Sequence, residues 1–357
     1  MNIEETRSMM SVSTIPDSEH QKIISEPPPY RLRIAYFISV WLFKAANAFG
    51  LRVLRLFSRR PPNFLRPEVK SYSIRPFLRN RIFRPDGSGN EPLPLYLDVH
   101  GGGWAVADPE TDDEFCSFMA QKFNIIVVSI DYRKAPSWKF PYAVSDVAAI
   151  ADAVILDESL NIDNTKIVIG GFSAGGNLAF AVSQVESLRG RIYGIVGFYP
   201  CLDLTESLEE KLKRRPKEAG SDILESSANF LDWAYVPYGV DRRDPLLSPR
   251  WARREDLPQY VYLIGAEYDI LCHEANQMAE SLVEPEFERT SIPALLAEDG
   301  WKQGGIRWEC VRGRPHAFTH VAMWGRKEID RVKVVQEMYY RVGVWLKEEV
   351  WANQSLR

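Results

Sequence analysis

The sequence predicts an α/β fold in which a mostly parallel sheet carries helices on both faces. Two patterns support this prediction. Short runs rich in valine and isoleucine are almost fully apolar, which is typical of strands buried on both sides of a parallel sheet. Longer stretches with helical periodicity separate these runs, and regular alternation of strand and helix builds such a sheet. A chain of 357 residues, 45% of them hydrophobic, is large enough to bury this core.

The predicted strands and helices follow one another from about residue 70 to the carboxyl end. The predicted strands are Leu93–Val99, Ile306–Val311 and residues 124–130, 166–170, 192–199 and 260–264. The predicted helices are residues 143–156, 174–188 and 330–351. We therefore assign residues 67–357 to one large α/β domain.

Two segments break the alternation. Residues 202–250 carry a run of charged residues and then several aromatic residues. We interpret this segment as an insertion that covers the functional site, with its charged run as the solvated face of a helix. Residues 284–305, which contain three glycines, are predicted to form a second, irregular insertion.

The amino-terminal region divides near Tyr30. Residues 1–29 are polar and end in three prolines, which predicts a flexible tail. Residues 30–66 are predicted to form a helical cap segment, because an apolar, uncharged run is followed by Lys44 and further apolar residues. Two alternatives remain for residues 30–57, namely a helix on a membrane surface and a membrane span. A span is disfavoured, since the clean apolar stretch is short and a lysine at mid-helix costs roughly 3 kcal/mol.

Composition narrows the class of function. The net charge of −4 gives no basic excess, so no nucleic-acid partner is predicted. The four cysteines are widely spaced without a metal-binding pattern, which predicts reduced thiols and no metal. The first ten residues are polar and do not resemble a secretory signal. A cytoplasmic location is expected, with membrane association as the alternative.

A G-x-S-x-G motif occurs at residues 171–175, which read GFSAG. It follows a predicted strand and precedes a predicted helix. Glycines let the chain bend sharply at such a turn, so that the serine hydroxyl is presented at the end of the strand. Ser173 is therefore the candidate nucleophile, with Gly171 and Gly175 as structural glycines beside it.

A second glycine-rich motif directly follows the predicted strand Leu93–Val99. Acyl transfer places negative charge on a carbonyl oxygen, and backbone N–H groups must already point at that oxygen. Glycines allow the chain to approach it closely. The sequence predicts an oxyanion-binding loop that comprises His100, Gly101, Gly102 and Gly103.

A serine hydroxyl needs a base, and a base needs an orienting acid. His316 is favoured as the base because it lies in the loop after the last predicted strand. His320 is the alternative, although it lies nearer the closing helix. Asp269 follows the preceding strand and is favoured as the acid over Glu267.

With these motifs the chain resembles the hormone-sensitive-lipase-like group of α/β hydrolases, the carboxylesterases with an HGGG oxyanion loop. The resemblance runs from about residue 93 to 345, and its further motifs are DYRKAP at residues 131–136, DPLLSP at 244–249, DIL at 269–271 and HAF at 316–318. It implies the α/β-hydrolase fold, with a helical cap made by the amino-terminal region and residues 202–250. It also implies that the oxyanion is bound by the backbone N–H groups of Gly101, Gly102 and Ala174.

The chain departs from that pattern in places outside the predicted triad. Ser137 stands where a glutamate often follows the Ala-Pro pair, and His273 and Glu274 replace the usual end of the acid motif. The insertion at residues 284–305 is longer than the family pattern implies.

The expected reaction is hydrolysis of a carboxylic ester of a small, fairly apolar substrate through an acyl-serine intermediate. No metal or organic cofactor is implied. One alternative is hydrolysis of an amide or lactone, or an acyl transfer or cyclisation, by the same three residues. Another is a non-catalytic ligand receptor, although receptors that resemble this family lack the histidine that is present here as His316. A third is a membrane-bound lipase, supported only by the apolar run over residues 34–43.

Overall fold

The computed structural model describes residues 21–57, 64–87, 89–284, 286–291 and 300–352. Ten strands in this part of the chain form one sheet. They are β1 (Glu68–Lys70), β2 (Asn80–Phe83), β3 (Leu93–Val99), β4 (Ile126–Ile130), β5 (Ile162–Phe172), β6 (Gly194–Phe198), β7 (Tyr260–Ala266), β8 (Arg289–Ser291), β9 (Gly300–Gln303) and β10 (Ile306–Val311).

The strand order is β1-β2-β4-β3-β5-β6-β7-β10-β9-β8. The six central strands, from β4 to β10 in this order, are parallel, and antiparallel strands extend the sheet at both edges. Every residue of β4, β6, β7 and β10 is buried. This burial confirms the two-sided packing that the apolar runs predict.

Helices cover both faces of the sheet. They are α1 (Tyr30–Phe57), α2 (Asp113–Phe123), α3 (Tyr142–Ile155), α4 (Ala174–Ser183), α5 (Leu208–Lys213), α6 (Ala228–Tyr235), α7 (Cys272–Leu282) and α8 (Arg326–Trp345). On one face α3, α4 and α7 pack into a single apolar cluster with the strands. On the other face α2 and α8 form a second cluster with side chains such as Phe115 and Met338. The predicted α/β-hydrolase fold is confirmed by this arrangement.

Several predicted elements differ from the structure in kind or in bounds. Residues 284–305 are not wholly irregular, because β8 and β9 lie there and extend the sheet from β10 in antiparallel register. The turn into β10 contains Gly304, whose φ of 57° is in the left-handed region that glycine tolerates. The helix predicted over residues 174–188 ends at Ser183. The closing helix starts earlier than predicted, at Arg326, and its last turn, Leu346–Trp351, is π-helical.

The amino-terminal part of the described chain packs on the insertion 202–250. Residues 1–20 of the predicted flexible tail lie outside the described residues. The rest of that segment is not free, because Ile24 pairs with Asp241 and the Ser25 N–H donates to the Val240 carbonyl at 2.8 Å. Helix α1 then crosses α6, where Phe43 meets Phe230 edge to face with ring centroids 5.5 Å apart.

One residue at the base of the insertion differs from the sequence prediction. The charged run at residues 209–215 was expected to be a solvated helix face. Lys211 is buried instead, and its ammonium group contacts the buried carboxylate of Glu274 on α7. Glu209 and Lys213 on the same helix do face solvent as predicted, and they form an exposed pair 2.8 Å apart.

Candidate active site

Ser173 lies at the turn between β5 and α4, at the carboxyl edge of the parallel strands. Its backbone has φ 54° and ψ −118°, a conformation that non-glycine residues rarely adopt. The Ser173 N–H donates to the Phe198 carbonyl at 2.9 Å, which anchors the turn to β6. The neighbouring glycines leave room for β3, since a Cβ on Gly175 would lie 1.9 Å from the Val99 carbonyl oxygen. A Cβ on Gly171 would lie 2.4 Å from the same atom.

The other two predicted residues reach Ser173 from neighbouring loops. His316 follows β10, and its Nε2 lies 3.0 Å from the Ser173 Oγ. Asp269 follows β7, and its Oδ2 lies 2.6 Å from the His316 Nδ1. The structure thus places serine, imidazole and carboxylate in one hydrogen-bonded row, as nucleophilic catalysis by serine requires.

Backbone hydrogen bonds join the two loops that carry the acid and the base. The Glu267 N–H donates to the Val311 carbonyl at 3.1 Å, and the Tyr268 N–H donates to the Arg314 carbonyl at 2.9 Å. Asp269 is also held by its own chain, because its Oδ1 accepts the Leu271 N–H at 2.9 Å. These bonds leave Oδ2 directed at the imidazole.

The local electrostatics favour a basic imidazole. Burial alone would lower the pKa of His316, but the adjacent Asp269 carboxylate outweighs it and raises the pKa above its ordinary value of 6.5. Hydrogen bonding to that carboxylate also assigns the Nδ1 proton, so Nε2 is the acceptor that faces the serine hydroxyl.

The glycine-rich loop lies beside Ser173. A Cβ on Gly101 would come within 2.9 Å of the Phe172 carbonyl oxygen and 3.5 Å of the Ser173 Cβ. Gly102 has a φ of 106°, and a Cβ there would lie 2.4 Å from the Val106 carbonyl oxygen. Ala174, the third predicted oxyanion donor, is the first residue of α4. Gly101 and Ala174 therefore lie beside the serine, and only glycine fits at positions 101 and 102.

His100 stabilises this loop from within the protein. Its ring is buried, stacks on Tyr132 with centroids 4.5 Å apart, and donates from Nδ1 to the Gly101 carbonyl at 2.8 Å. The Tyr132 hydroxyl donates to the His100 carbonyl at 3.0 Å. Behind it, Arg133 binds the buried carboxylate of Asp146 with two bonds of 2.7 Å. The DYR segment, residues 131–133, thus holds the chain after β4.

The two alternative residues, Glu267 for the acid and His320 for the base, form hydrogen bonds with groups other than Ser173 and His316. The Glu267 carboxylate binds Arg312 and the Gly313 N–H, each at 2.7 Å, and so faces away from the imidazole. The His320 Nε2 lies 2.8 Å from the Asp112 Oδ1, in a buried polar cluster under the sheet edge. Burial raises the pKa of Asp112 and lowers the pKa of His320, because it disfavours the charged form of each group.

Sequence reasoning missed two groups that support the site. The buried Asp222 carboxylate accepts the Ile270 N–H at 3.0 Å and so fixes the acid loop from the insertion. The Tyr199 ring meets the His316 ring edge to face, with centroids 5.0 Å apart. Tyr199 directly follows β6 and precedes Pro200, whereas no local pattern marks Asp222.

The insertion covers the glycine-rich loop directly. A Cβ on Gly103 would lie 2.6 Å from the Leu231 Cδ1, so α6 lies on top of the loop. The next residue, Trp104, stacks on Tyr235 of the same helix with centroids 4.3 Å apart. The site is therefore a serine–histidine–aspartate row at the sheet edge, beneath a helical cap.

Comparisons with known proteins agree with this geometry. Residues 96–292 match the model of a family described as having the alpha/beta hydrolase fold. The chain is 32% identical over 215 residues to the carboxylic ester hydrolase LipN of Mycobacterium tuberculosis, and the match covers 57% of this chain and 55% of LipN. The chain thus spans a little over half of that relative.

Two further comparisons cover more of both proteins. An arylesterase of Saccharolobus solfataricus is 32% identical over 241 residues, which are 67% of this chain and 72% of that enzyme. The structure of the Pyrobaculum calidifontis esterase superposes with a TM-score of 0.66 at 27% identity, and the superposition covers 90% of this chain and 98% of the esterase.

Proposed function

Because this chain belongs to the alpha/beta hydrolase family, in its hormone-sensitive-lipase-like carboxylesterase group, we propose that it hydrolyses carboxylic esters with Ser173 as the nucleophile. The observation that carries the proposal is the hydrogen-bonded row of Asp269, His316 and Ser173 at the carboxyl edge of the sheet. The similarity to several esterases favours ester hydrolysis over the amide, lactone and transfer alternatives.

The proposed reaction has two halves. In the first, the His316 Nε2 takes the hydroxyl proton while the Ser173 Oγ attacks the ester carbonyl carbon. The N–H groups of Gly101, Gly102 and Ala174 bind the oxyanion that forms. His316 then passes its proton to the leaving alcohol, which departs and leaves an acyl-serine. In the second half, His316 takes a proton from water, the hydroxide attacks the acyl carbon, and the proton returns to Ser173 as the acid leaves.

The apolar residues of the cap favour a small, fairly apolar substrate. Leu231 lies over Gly103 beside the proposed oxyanion site, and Phe43 and Phe230 of the same cap contact each other edge to face. Apolar walls stabilise an acyl or alkyl group but give an ionic group no partner. Esters with short aliphatic or aromatic acyl chains are therefore the proposed substrates.

The test is an active-site label. Purified protein is treated with a fluorophosphonate, which phosphonylates an activated serine, and the adduct is located by mass spectrometry. We expect one adduct on Ser173 and a loss of esterase activity of at least about a thousandfold in Ser173→Ala. His316→Ala is the matched control, since it keeps the hydroxyl but should label far more slowly. An active Ser173→Ala variant would remove the basis of the proposal.

We also propose a reducing, cytoplasmic location. The four cysteines are widely spaced in the sequence, and the Sγ atoms of Cys272 and Cys310 lie 3.7 Å apart. Thiols this close would be expected to join in an oxidising compartment. Counting free thiols in protein isolated under alkylating conditions checks this, and four alkylated cysteines are expected.

A further inference from the structure

The outer face of helix α1 is unusually apolar for a surface helix. Most of its large apolar side chains are exposed, and Phe37, Ile38, Leu42 and Phe49 expose between 51% and 71% of their surface. Residues Tyr30–Val53 are long and apolar enough to cross a membrane, yet only 6% of their most apolar stretch is buried in the protein. Such a contiguous exposed apolar surface marks an interaction site.

The charges on α1 are arranged for a negatively charged partner. The helix contains no aspartate or glutamate, and its cations cluster at its two ends. Arg31 and Arg33 are exposed in the first turn, and Arg52 is exposed in the last two turns. Between these ends the helix has one charged residue, Lys44.

Lys44 does not reach the outer face. Its Nζ turns inward and donates to the Ala105 carbonyl at 2.5 Å and to the Ala135 carbonyl at 2.8 Å. The outer surface from Ile34 to Leu51 is therefore free of charge along about 27 Å of helix, at 1.5 Å per residue. A helix with an uncharged apolar face and cations at both ends is suited to lie in the headgroup region of a bilayer.

The inner face shows that α1 lies along the surface of the protein and does not leave it. Val40 is fully buried, and Phe43 and Lys44 are bonded or packed against the cap and the loop beneath it. A membrane span would surround α1 with lipid on all sides and would place the Lys44 ammonium in hydrocarbon. Docking in the plane of the membrane keeps every one of these contacts.

We propose that the outer face of α1 docks this enzyme on an anionic phospholipid surface, with the cap and the mouth of the active site turned toward the lipid. Docking is independent of the chemistry at Ser173. It does place the cap next to a phase in which apolar esters dissolve. The bond from Lys44 to Ala105, two residues after Gly103, ties the docked helix to the proposed oxyanion loop.

Vesicle co-sedimentation of the full chain tests this proposal. The probes are vesicles of phosphatidylcholine alone and of phosphatidylcholine with 30% phosphatidylserine, at low and high salt. We expect binding about tenfold tighter or more to the anionic vesicles, and weaker binding at high salt, because each basic residue near such a surface adds attraction. The double variant Arg31→Gln/Arg52→Gln should lose most of this preference.

An apolar-face variant separates docking from folding. Ile38→Asp/Leu42→Asp places two charges on the outer face, and we expect it to lose vesicle binding at least about tenfold. Leu156→Asp, which charges a side chain that is 72% exposed at the end of α3, is the matched control and should bind like the original chain. All variants should keep activity on a water-soluble ester, because none of these residues touches Ser173, Asp269 or His316.

Each contrary outcome has a distinct meaning. A protein that is active on the soluble ester but binds neither vesicle overturns docking while leaving the proposed esterase activity intact. Binding that resists both high salt and alkaline carbonate overturns surface docking in favour of a span. A dimer that forms without lipid and is broken by Ile38→Asp/Leu42→Asp shows that a second copy covers the face, which also overturns the proposal.

Discussion

The imidazole of His316 is bonded on one side to a carboxylate and on the other to a hydroxyl. Only its neutral form can accept the serine proton, so the pKa of His316 sets the lower pH limit of the reaction. Because the Asp269 carboxylate overcomes the effect of burial, that pKa lies above 6.5. The site is therefore built to work from neutral to alkaline pH.

We expect kcat/KM to fall as pH falls through the raised pKa of His316, with the midpoint of this acid limb above pH 6.5. Asp269→Asn should move the midpoint to lower pH, since burial would then act on the imidazole without the opposing carboxylate. It should also lower kcat by about a thousandfold or more, because the tautomer is no longer fixed. A pH–rate profile of both proteins with one soluble ester measures the two effects. An unchanged midpoint in Asp269→Asn would contradict the assignment of the limb to His316.

At the scale of elements, a buried ion pair helps to fasten the insertion 202–250 to the sheet domain. Glu274 on α7 accepts the Leu202 N–H at 2.6 Å and the Asp203 N–H at 3.2 Å, at the point where the insertion leaves β6. Its other oxygen contacts Lys211, which also donates to the Asp203 carbonyl at 2.6 Å. One carboxylate thus joins α7, α5 and the first residues of the insertion.

Replacing Glu274 by glutamine should destabilise the protein by about 3 kcal/mol, because Lys211 would remain buried without a counter-charge. Denaturant unfolding followed by fluorescence and by circular dichroism measures the change. Glu209→Gln, on the same helix as Lys211, is the matched control. It breaks an exposed pair with Lys213 and should leave the unfolding midpoint unchanged. Equal effects of the two substitutions would show that the buried pair has no special part in stability.

These elements show which features of the structure could be predicted from the sequence and which could not. Ser173, Asp269 and His316 each follow an apolar run, and parallel strands bring their carboxyl ends to one edge, so their proximity could be predicted from chain order. The Lys211–Glu274 pair could not, because its members are 63 residues apart and nothing local marks either one. Strands β8 and β9 were missed for another reason. They are short, β8 is exposed and β9 is mostly half-buried, so both lack the buried, apolar pattern by which the other strands were recognised.

At the scale of the whole molecule, Lys44 connects the amino-terminal helix to the catalytic domain. Its two carbonyl partners, on Ala105 and Ala135, belong to the segments that follow β3 and β4. The helix therefore touches both the insertion and the loop beside the serine. A displacement of α1 would therefore change the position of the proposed oxyanion loop.

Lys44→Met keeps the length of the side chain but removes both charge-assisted hydrogen bonds. We expect a loss of about 1–2 kcal/mol in stability, faster amide hydrogen exchange in α1, and a several-fold lower kcat/KM on a soluble ester. Hydrogen–deuterium exchange with mass spectrometry and steady-state kinetics report these changes. Lys213→Met, on the exposed face of α5, should alter none of them. If Lys44→Met changes exchange in α1 but not kcat/KM, the helix and the loop are not coupled.

The backbone conformation of Ser173 also has a consequence for how this residue evolves. A φ of 54° is unfavourable for serine and natural for glycine, so the fold tolerates this residue only against its own preference. Mutation alone would tend to replace the serine with glycine, which relaxes the turn and ends the chemistry. The serine can therefore persist over generations only while the reaction itself is under selection. In a lineage that no longer needed the reaction, position 173 would be among the first to drift.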